Sequence, residues 1–489
     1  MSNQEIHQGS HLKKILTKGT WYFFSSIFVK AINLFLLPVV TRYLNPSEFG
    51  VLSTLESISQ LLPVFISLAL DEAYVRFYFN HNKSYDELKK YISTYFWIIL
   101  GWGLIVFIIS LIIGKISITK ILDIPFYPYI PLTMLGPLLL QLSVLGNAYL
   151  RQQLKAEFLS IIEIILHIVY VFFYIFLLIA AKLGMRSKIY GFFISNALSF
   201  VIFGIVIFKN KLINFNFNKK IFTEGLKYSI PLLPNQMSEW IKGLSDRIIL
   251  TVLKTTADTG IYSIGYQLGL TLRMISMSVF KVYTPIMYSM LVNKKDDGVK
   301  KLEDFIPFYF FIMFWFAFCL GFFSKEFIVL LTDSKYHTAY VVVPIVAFAY
   351  FFGAIYKPFL NIISYHKKTW IISGGAIFQA AANIIFNIIF IPRFGKMAAA
   401  WTTFSSFFIY MIWIFLWSQY LERLKIHWNK IIFTLIIGLL TIIMYILILK
   451  IFLLSFWLIL LFKIVLVIIA LLLSYIFKLI DIEYLKLKK

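Results

Sequence analysis

Apolar residues run in stretches of about twenty, parted by short connections rich in lysine, and this rhythm predicts membrane-spanning helices. Seven such segments fill the first half: Gly19–Val40, Glu48–Leu70, Ile92–Gly114, Pro125–Tyr149, Ser160–Ala180, Ile189–Phe208 and Tyr228–Val252. Seven follow: Gly260–Lys281, Phe305–Phe323, Val341–Ile363, Trp370–Ile391, Met397–Trp417, Ile431–Leu449 and Leu453–Phe477. The chain thus reads as an all-α integral membrane protein of about 14 transmembrane helices. With the N-terminus inside, the connections assigned to the cytoplasm carry more than twice the Lys and Arg of the opposite set, which places both termini in the cytoplasm.

Polar residues inside four segments recur at steps of three and four, so each set falls on one helix face. The first carries Tyr22, Ser26, Lys30 and Asn33; the second Ser53, Glu56, Gln60, Ser67 and Asp71. The seventh carries Asn235, Glu239, Lys242 and Asp246, and the eighth Tyr262, Tyr266, Gly269 and Arg273. Charge within lipid is costly and faces a partner or a water-filled cavity, so these stripes predict a hydrophilic cavity lined by segments one, two, seven and eight. Lys30 and Arg273 have no acidic neighbour one turn away and are its leading cations, with Lys242 and Lys357 behind them. Glu239 and Asp246 flank Lys242 at helical spacing, which fits a self-neutralised pair as well as a site. Arg247 lies near a segment end and is expected to snorkel, and Lys463 to serve helix packing. Pro231 and Pro234, a turn apart, predict an interrupted helix and a hinge.

Composition sharpens the class. Of 489 residues, 60% are hydrophobic and 14% charged, too little polar surface for a soluble domain of this size. The net charge of +23 sits beside apolar runs and is read as topology and lipid contact, with no nucleic-acid partner. Cys319 is the sole cysteine, which excludes an internal disulfide framework and a Cys-cluster metal site. The sequence holds no phosphate loop, HExxH or DxD motif, so no metal and no cofactor are expected beyond possible proton or sodium coupling through Glu56, Asp71, Glu239 and Asp246. No connection is long enough for a soluble catalytic domain, which argues against an enzyme such as a membrane glycan polymerase.

Asn45-Pro-Ser-Glu-Phe-Gly-Val-Leu-Ser53 is echoed 210 residues on by Thr255-Thr-Ala-Asp-Thr-Gly-Ile-Tyr-Ser263, an internal repeat of the kind transporters use. Lys14-Ile-Leu-Thr-Lys-Gly19, Leu37-Pro38, Thr41 to Gly50, Gly225 to Pro234 with Ser245-Asp246-Arg247, and Gly260-Ile-Tyr-Ser263 together resemble the polysaccharide-exporter branch of the multidrug/oligosaccharidyl-lipid/polysaccharide superfamily, the O-antigen, capsule and exopolysaccharide repeat-unit flippases. The resemblance implies two pseudo-symmetric six-helix lobes around a central cavity plus two C-terminal helices. Residues 1–208 would form the N-lobe, 209–227 a cytoplasmic linker, 228–417 the C-lobe and 418–489 the added helices with a basic tail. It further implies alternating access for an oligosaccharide carried on undecaprenyl pyrophosphate in a bacterial inner membrane. The cargo pyrophosphate would meet Lys30, Arg273, Lys242 and Lys357, and its sugars Tyr22, Asn33, Asn235, Tyr262 and Tyr266. Partners would be the lipid-linked oligosaccharide, membrane lipids, a polysaccharide polymerase and a chain-length regulator. A cation-coupled drug or metabolite exporter and a lipid-linked peptidoglycan precursor flippase are the alternatives from the same superfamily.

Overall fold

The computed structural model describes residues 21, 25, 28–29, 31–292, 297–451 and 455–479, with the side chains of 281, 282, 285, 289, 290, 292 and 297–299 left aside. Tyr22, Ser26 and Lys30 lie outside the described residues, so their stripe is untested. Every regular element among the described residues is helical. Ten helices there are long and apolar enough to cross a membrane, against the fourteen segments expected. The difference arises where segments are short, broken or joined. The first segment is described from Ala31–Tyr43 as a short apolar helix, the seventh and eighth are broken into shorter pieces, and the eleventh and twelfth run together as one helix, Thr369–Leu421, that kinks at Gly395, φ 56.

Contacts divide the chain into two compact units, Met1–Gly260 and Ile261–Lys489. Residues 209–227 and the whole seventh segment fall within the first unit.

In the first unit, α1 (Ala31–Tyr43) leads into α2 (Pro46–Ser67). Asn45 caps α2 by accepting from the Glu48 N–H, while the Glu48 side chain accepts from the Asn45 N–H; this capping box satisfies two otherwise orphan donors. Leu68 and Ala69 then take left-handed backbone, so α3 (Leu70–His81) starts on a new axis. Asp71 consequently leaves the stripe of Ser53, Glu56 and Gln60 on which the sequence places it. Next come α4 (Tyr85–Ile113), α5 (Tyr129–Gln152), α6 (Ala156–Ile179) and α7 (Arg186–Lys209).

After α8 (Lys219–Ser229), the seventh segment changes geometry repeatedly: a 3-10 turn at Ile230–Leu232, α9 (Leu233–Trp240), a π turn at Ile241–Ser245, then α10 (Asp246–Leu253). The interruption expected from Pro231 and Pro234 is present, with Pro231 exposed in the 3-10 turn and Pro234 exposed in the first turn of α9. The second copy of the repeat follows. Thr255 exchanges hydrogen bonds with Asp258, its hydroxyl donating to the carboxylate and accepting from the Asp258 N–H, each at 3.0 Å. This mirrors the Asn45–Glu48 box at the head of α11 (Thr256–Gly269).

The two repeat copies also meet. A Cβ built on Gly50 would lie 1.7 Å from the Thr256 carbonyl oxygen, and one on Gly260 would lie 2.0 Å from that of Pro46. Positions 46 and 256, like 50 and 260, are equivalent under the 210-residue offset, so the contact is reciprocal, as a local two-fold demands. Hydroxyl pairs extend it: Ser47 with Thr256 at 2.5 Å, Thr54 with Thr251 at 2.7 Å, and Thr251 with Thr259 at 2.8 Å.

The second unit begins within α11. Leu270 interrupts the eighth segment before α12 (Thr271–Val292), and α13 (Asp297–Phe322), α14 (Ser324–Leu331), α15 (Val342–Ile355), α16 (Lys357–Tyr365), α17 (Thr369–Leu421), α18 (Trp428–Ile451) and α19 (Phe456–Ile476) follow. As expected of a packing residue, Lys463 on α19 is buried: its Nζ lies 2.9 Å from Glu326 Oε2 on α14, donates to the Phe322 carbonyl at 2.6 Å, and sits over the rings of Phe322, Phe323 and Tyr445.

Candidate functional site

In the first unit, ionisable groups are supplied by α2, α7 and the interrupted seventh segment. Glu56 on α2, half exposed, pairs with Lys188 Nζ on α7 at 2.7 Å and accepts from Gln60. Arg247 acts electrostatically on both Glu56 and Lys188. The interrupted segment supplies the rest. Lys242, buried in the π turn, is ion-paired with the exposed Glu239. Asp246 is buried and pairs with Arg247 at 3.4 Å, and the guanidinium also donates to the Gly243 carbonyl at 2.7 Å. The Trp240 indole N–H donates to the Ser57 carbonyl at 2.8 Å, which anchors the broken segment to α2.

This arrangement corrects two expectations. Arg247 does not snorkel; it is drawn inward by a carboxylate and a carbonyl that the π turn leaves available. Lys188, which the segment boundaries leave in the connection before Ile189, is the third residue of α7 and partners Glu56. The signal was present in outline, since Glu56 has no cation one turn away on its own helix and a carboxylate in the apolar layer needs one from elsewhere. Asn235 is exposed on α9 and Asn33 half-buried on α1. Asp71 Oδ1 is buried with no hydrogen-bond partner among the described residues.

The second unit places its predicted residues differently. Tyr262 and Tyr266 are fully buried, their rings tilted against one another with centroids 5.5 Å apart, and the Tyr266 hydroxyl meets that of Tyr350. They are packing residues on the α11 face that approaches 334–355, where a Cβ on Gly265 would come within 2.7 Å of the Ala339 carbonyl oxygen. Arg273, exposed, lies beyond the Leu270 break and so does not continue their stripe. Lys357, half-buried, donates to Ser276 Oγ at 2.8 Å and sits over the Phe280 ring.

Sequence reasoning also missed a buried amide and hydroxyl network within α17. Asn387 donates to Asn383, Asn383 to Ser406, and Thr402 to Asn387. Its four-residue spacing at Gln379, Asn383 and Asn387 was readable.

With the geometry in place, comparison with known proteins gives the family. The family described as polysaccharide biosynthesis protein matches residues 39–343. The chain belongs to that family. Among curated relatives, the Lsg locus putative protein 1 of Haemophilus influenzae is 25% identical over 288 residues, 58% of this chain and 68% of its own length. The uncharacterized membrane protein MJ1068 of Methanocaldococcus jannaschii is 26% identical over 256 residues, about half of each chain. Among solved structures, the inward closed conformation of the lipid II flippase MurJ matches with a TM-score of 0.74 at 17% identity, covering 94% of this chain and 99% of that one. An inward-facing multidrug resistance MATE transporter of the MOP superfamily matches at 0.65 with 11% identity, over 81% and 94%. This polysaccharide biosynthesis protein is therefore a multi-pass membrane protein with the fold of MOP-superfamily flippases and transporters.

Proposed function

We propose that the protein moves an oligosaccharide linked through pyrophosphate to a polyprenol from the cytoplasmic to the outer leaflet of a bacterial inner membrane, by alternating access, for assembly of a surface polysaccharide. The observation that carries this is the set of cations Lys188, Lys242 and Arg247, each paired with a carboxylate, on α7 and the interrupted seventh segment. A pyrophosphate leaves water only where cations replace its hydration, and these are held by carboxylates they can exchange for it. Lys30, Arg273 and Lys357 are further candidates, Asn33, Asn235 and Tyr22 would meet the sugars, and Pro231 and Pro234 would let the seventh segment bend. Similarity to a lipid II flippase and membership of a polysaccharide biosynthesis family support a lipid-linked sugar over an organic cation.

The test is flipping of a fluorescent pyrophosphate-linked oligosaccharide lipid in proteoliposomes. Lys188→Gln, Arg247→Gln, Lys30→Ala and Arg273→Ala should each slow flipping about tenfold or more, the loss expected when a charged hydrogen-bond partner goes, while the exposed Lys300→Gln stays within about twofold. A parent protein that moves no lipid-linked sugar and instead extrudes an organic cation overturns the proposal.

Coupling to protons is part of the same reading. Glu56, Glu239 and Asp246 each hold a cation, whereas Asp71 presents a buried oxygen with no hydrogen-bond partner among the described residues; Asp71 is the carrier we assign. Asp71→Asn should flip at half the parental rate or better without a gradient yet gain nothing from an imposed proton gradient. An undiminished gradient response in that variant removes Asp71 from the mechanism.

A further inference from the structure

Residues 210–218, which the sequence presents as a free cytoplasmic linker, are fastened to α4. The Tyr85 hydroxyl donates to the carbonyls of Asn210 and Lys211, at 3.0 and 2.9 Å. The Asn214 N–H donates to Ser93 Oγ at 2.9 Å and its carbonyl accepts from the Trp97 indole at 2.7 Å. The Asn218 N–H donates to Thr94 Oγ1 at 3.2 Å. α8 then turns Ile221, Gly225 and Ser229 inward. The backbone is thus held fixed while Phe215, 91% exposed and stacked on Trp97 at 5.1 Å, and Phe217, 52% exposed, point outward. Beside them Lys219, Lys220 and Lys227 occupy the outer face of α8.

A fixed backbone that presents two phenyl rings and three lysines on one surface is suited to the layer where acyl chains meet headgroups. Three lysines outnumber the one acid of α8, Glu224, which lies 3.9 Å from His81; Asp86 and Glu87 belong to the first turn of α4. We propose that this ledge is a binding surface for anionic phospholipid, the lysines meeting headgroup phosphates and Phe215 and Phe217 entering the acyl boundary. Because α8 runs directly into the 3-10 turn at Ile230, lipid held there fixes the near end of the interrupted seventh segment. The ledge therefore makes the charge of the surrounding leaflet an input to that segment. The inference does not rest on the cargo proposed above.

Two measurements test it without any transport assay. In native mass spectrometry of the full-length protein, bound phosphatidylglycerol should exceed phosphatidylcholine. Lys219→Gln/Lys220→Gln/Lys227→Gln should weaken phosphatidylglycerol retention about tenfold or more, since each lysine near an anionic surface contributes roughly a fivefold factor. Lys300→Gln/Lys301→Gln, on exposed positions of α13, should weaken it less than about threefold. In a Cys319→Ser background, a spin label on Phe217→Cys should become at least about threefold less accessible to an aqueous nickel reagent when phosphatidylglycerol vesicles replace phosphatidylcholine vesicles. Equal retention of the two lipids by parent and triple variant, or a label equally accessible in both vesicles, overturns the assignment.

Discussion

Purified Gly260→Val protein is expected to unfold well below the parent temperature, and Gly50→Val to do the same. Replacing a mid-helix glycine ordinarily helps, by up to about 1 kcal/mol for Ala. Here the added carbon would fall 1.7 to 2.0 Å from a carbonyl oxygen of the opposing repeat copy. Backbone cannot swing aside as a side chain can, so the cost belongs at or above the upper end of the overpacking range, about 3 kcal/mol. The reciprocal geometry adds a second expectation: the double variant should cost less than the sum of the singles, because one separation of the two helices relieves both clashes. Gly101→Ala is the control, since nothing lies within 4 Å of a Cβ there. Thermal unfolding in detergent decides the matter. If Gly260→Val melts with the parent and with Gly101→Ala, the close approach does not exist in the folded protein.

Glu326→Leu is expected to lose most of its folded protein, and Glu326→Leu/Lys463→Met to recover much of it. Both members of this pair are about 95% buried or more, and removing one leaves a charge without its counter-ion, at a cost of about 3 to 5 kcal/mol. Lys463 would keep the Phe322 carbonyl and three aromatic faces, which offset only part of that. Removing both partners removes the uncompensated charge, and apolar replacements of similar volume suit a site walled by Phe and Tyr. The readout is the yield of monodisperse protein and its melting temperature. A double variant no better than the worse single would show that shape, not charge, governs this contact.

The periodicity of apolar runs carried the fold class, because a helix that must satisfy its backbone inside lipid leaves a run of about twenty that no loop imitates. The repeat at 45–53 and 255–263 was legible for a related reason: capping residues and a contact glycine are fixed by local chemistry. Partnership across sequence distance was not. Nothing in the composition of α7 ties Lys188 to Glu56, 132 residues away. Helical stripes also proved ambiguous. Tyr262 and Tyr266 share a face with Gly269, yet that face packs on 334–355, since spacing identifies a side of a helix without saying what stands opposite. The break at Leu68–Ala69 involves neither Gly nor Pro, so it left no mark in the sequence, and Asp71 was placed on the wrong axis for that reason.

The π turn at Ile241–Ser245 gives the seventh segment one residue more than a regular rod of the same length would hold. Counting at 100° per residue through it, as the stripe of Asn235, Glu239, Lys242 and Asp246 does, is therefore a residue out of step beyond the turn. Seen this way, the position of Arg247 relative to Glu56 depends on chain length as much as on side-chain chemistry. A helix shortened by Gly243 alone would keep every charged and apolar residue, yet turn Arg247 and all that follows about a quarter of the way round the axis.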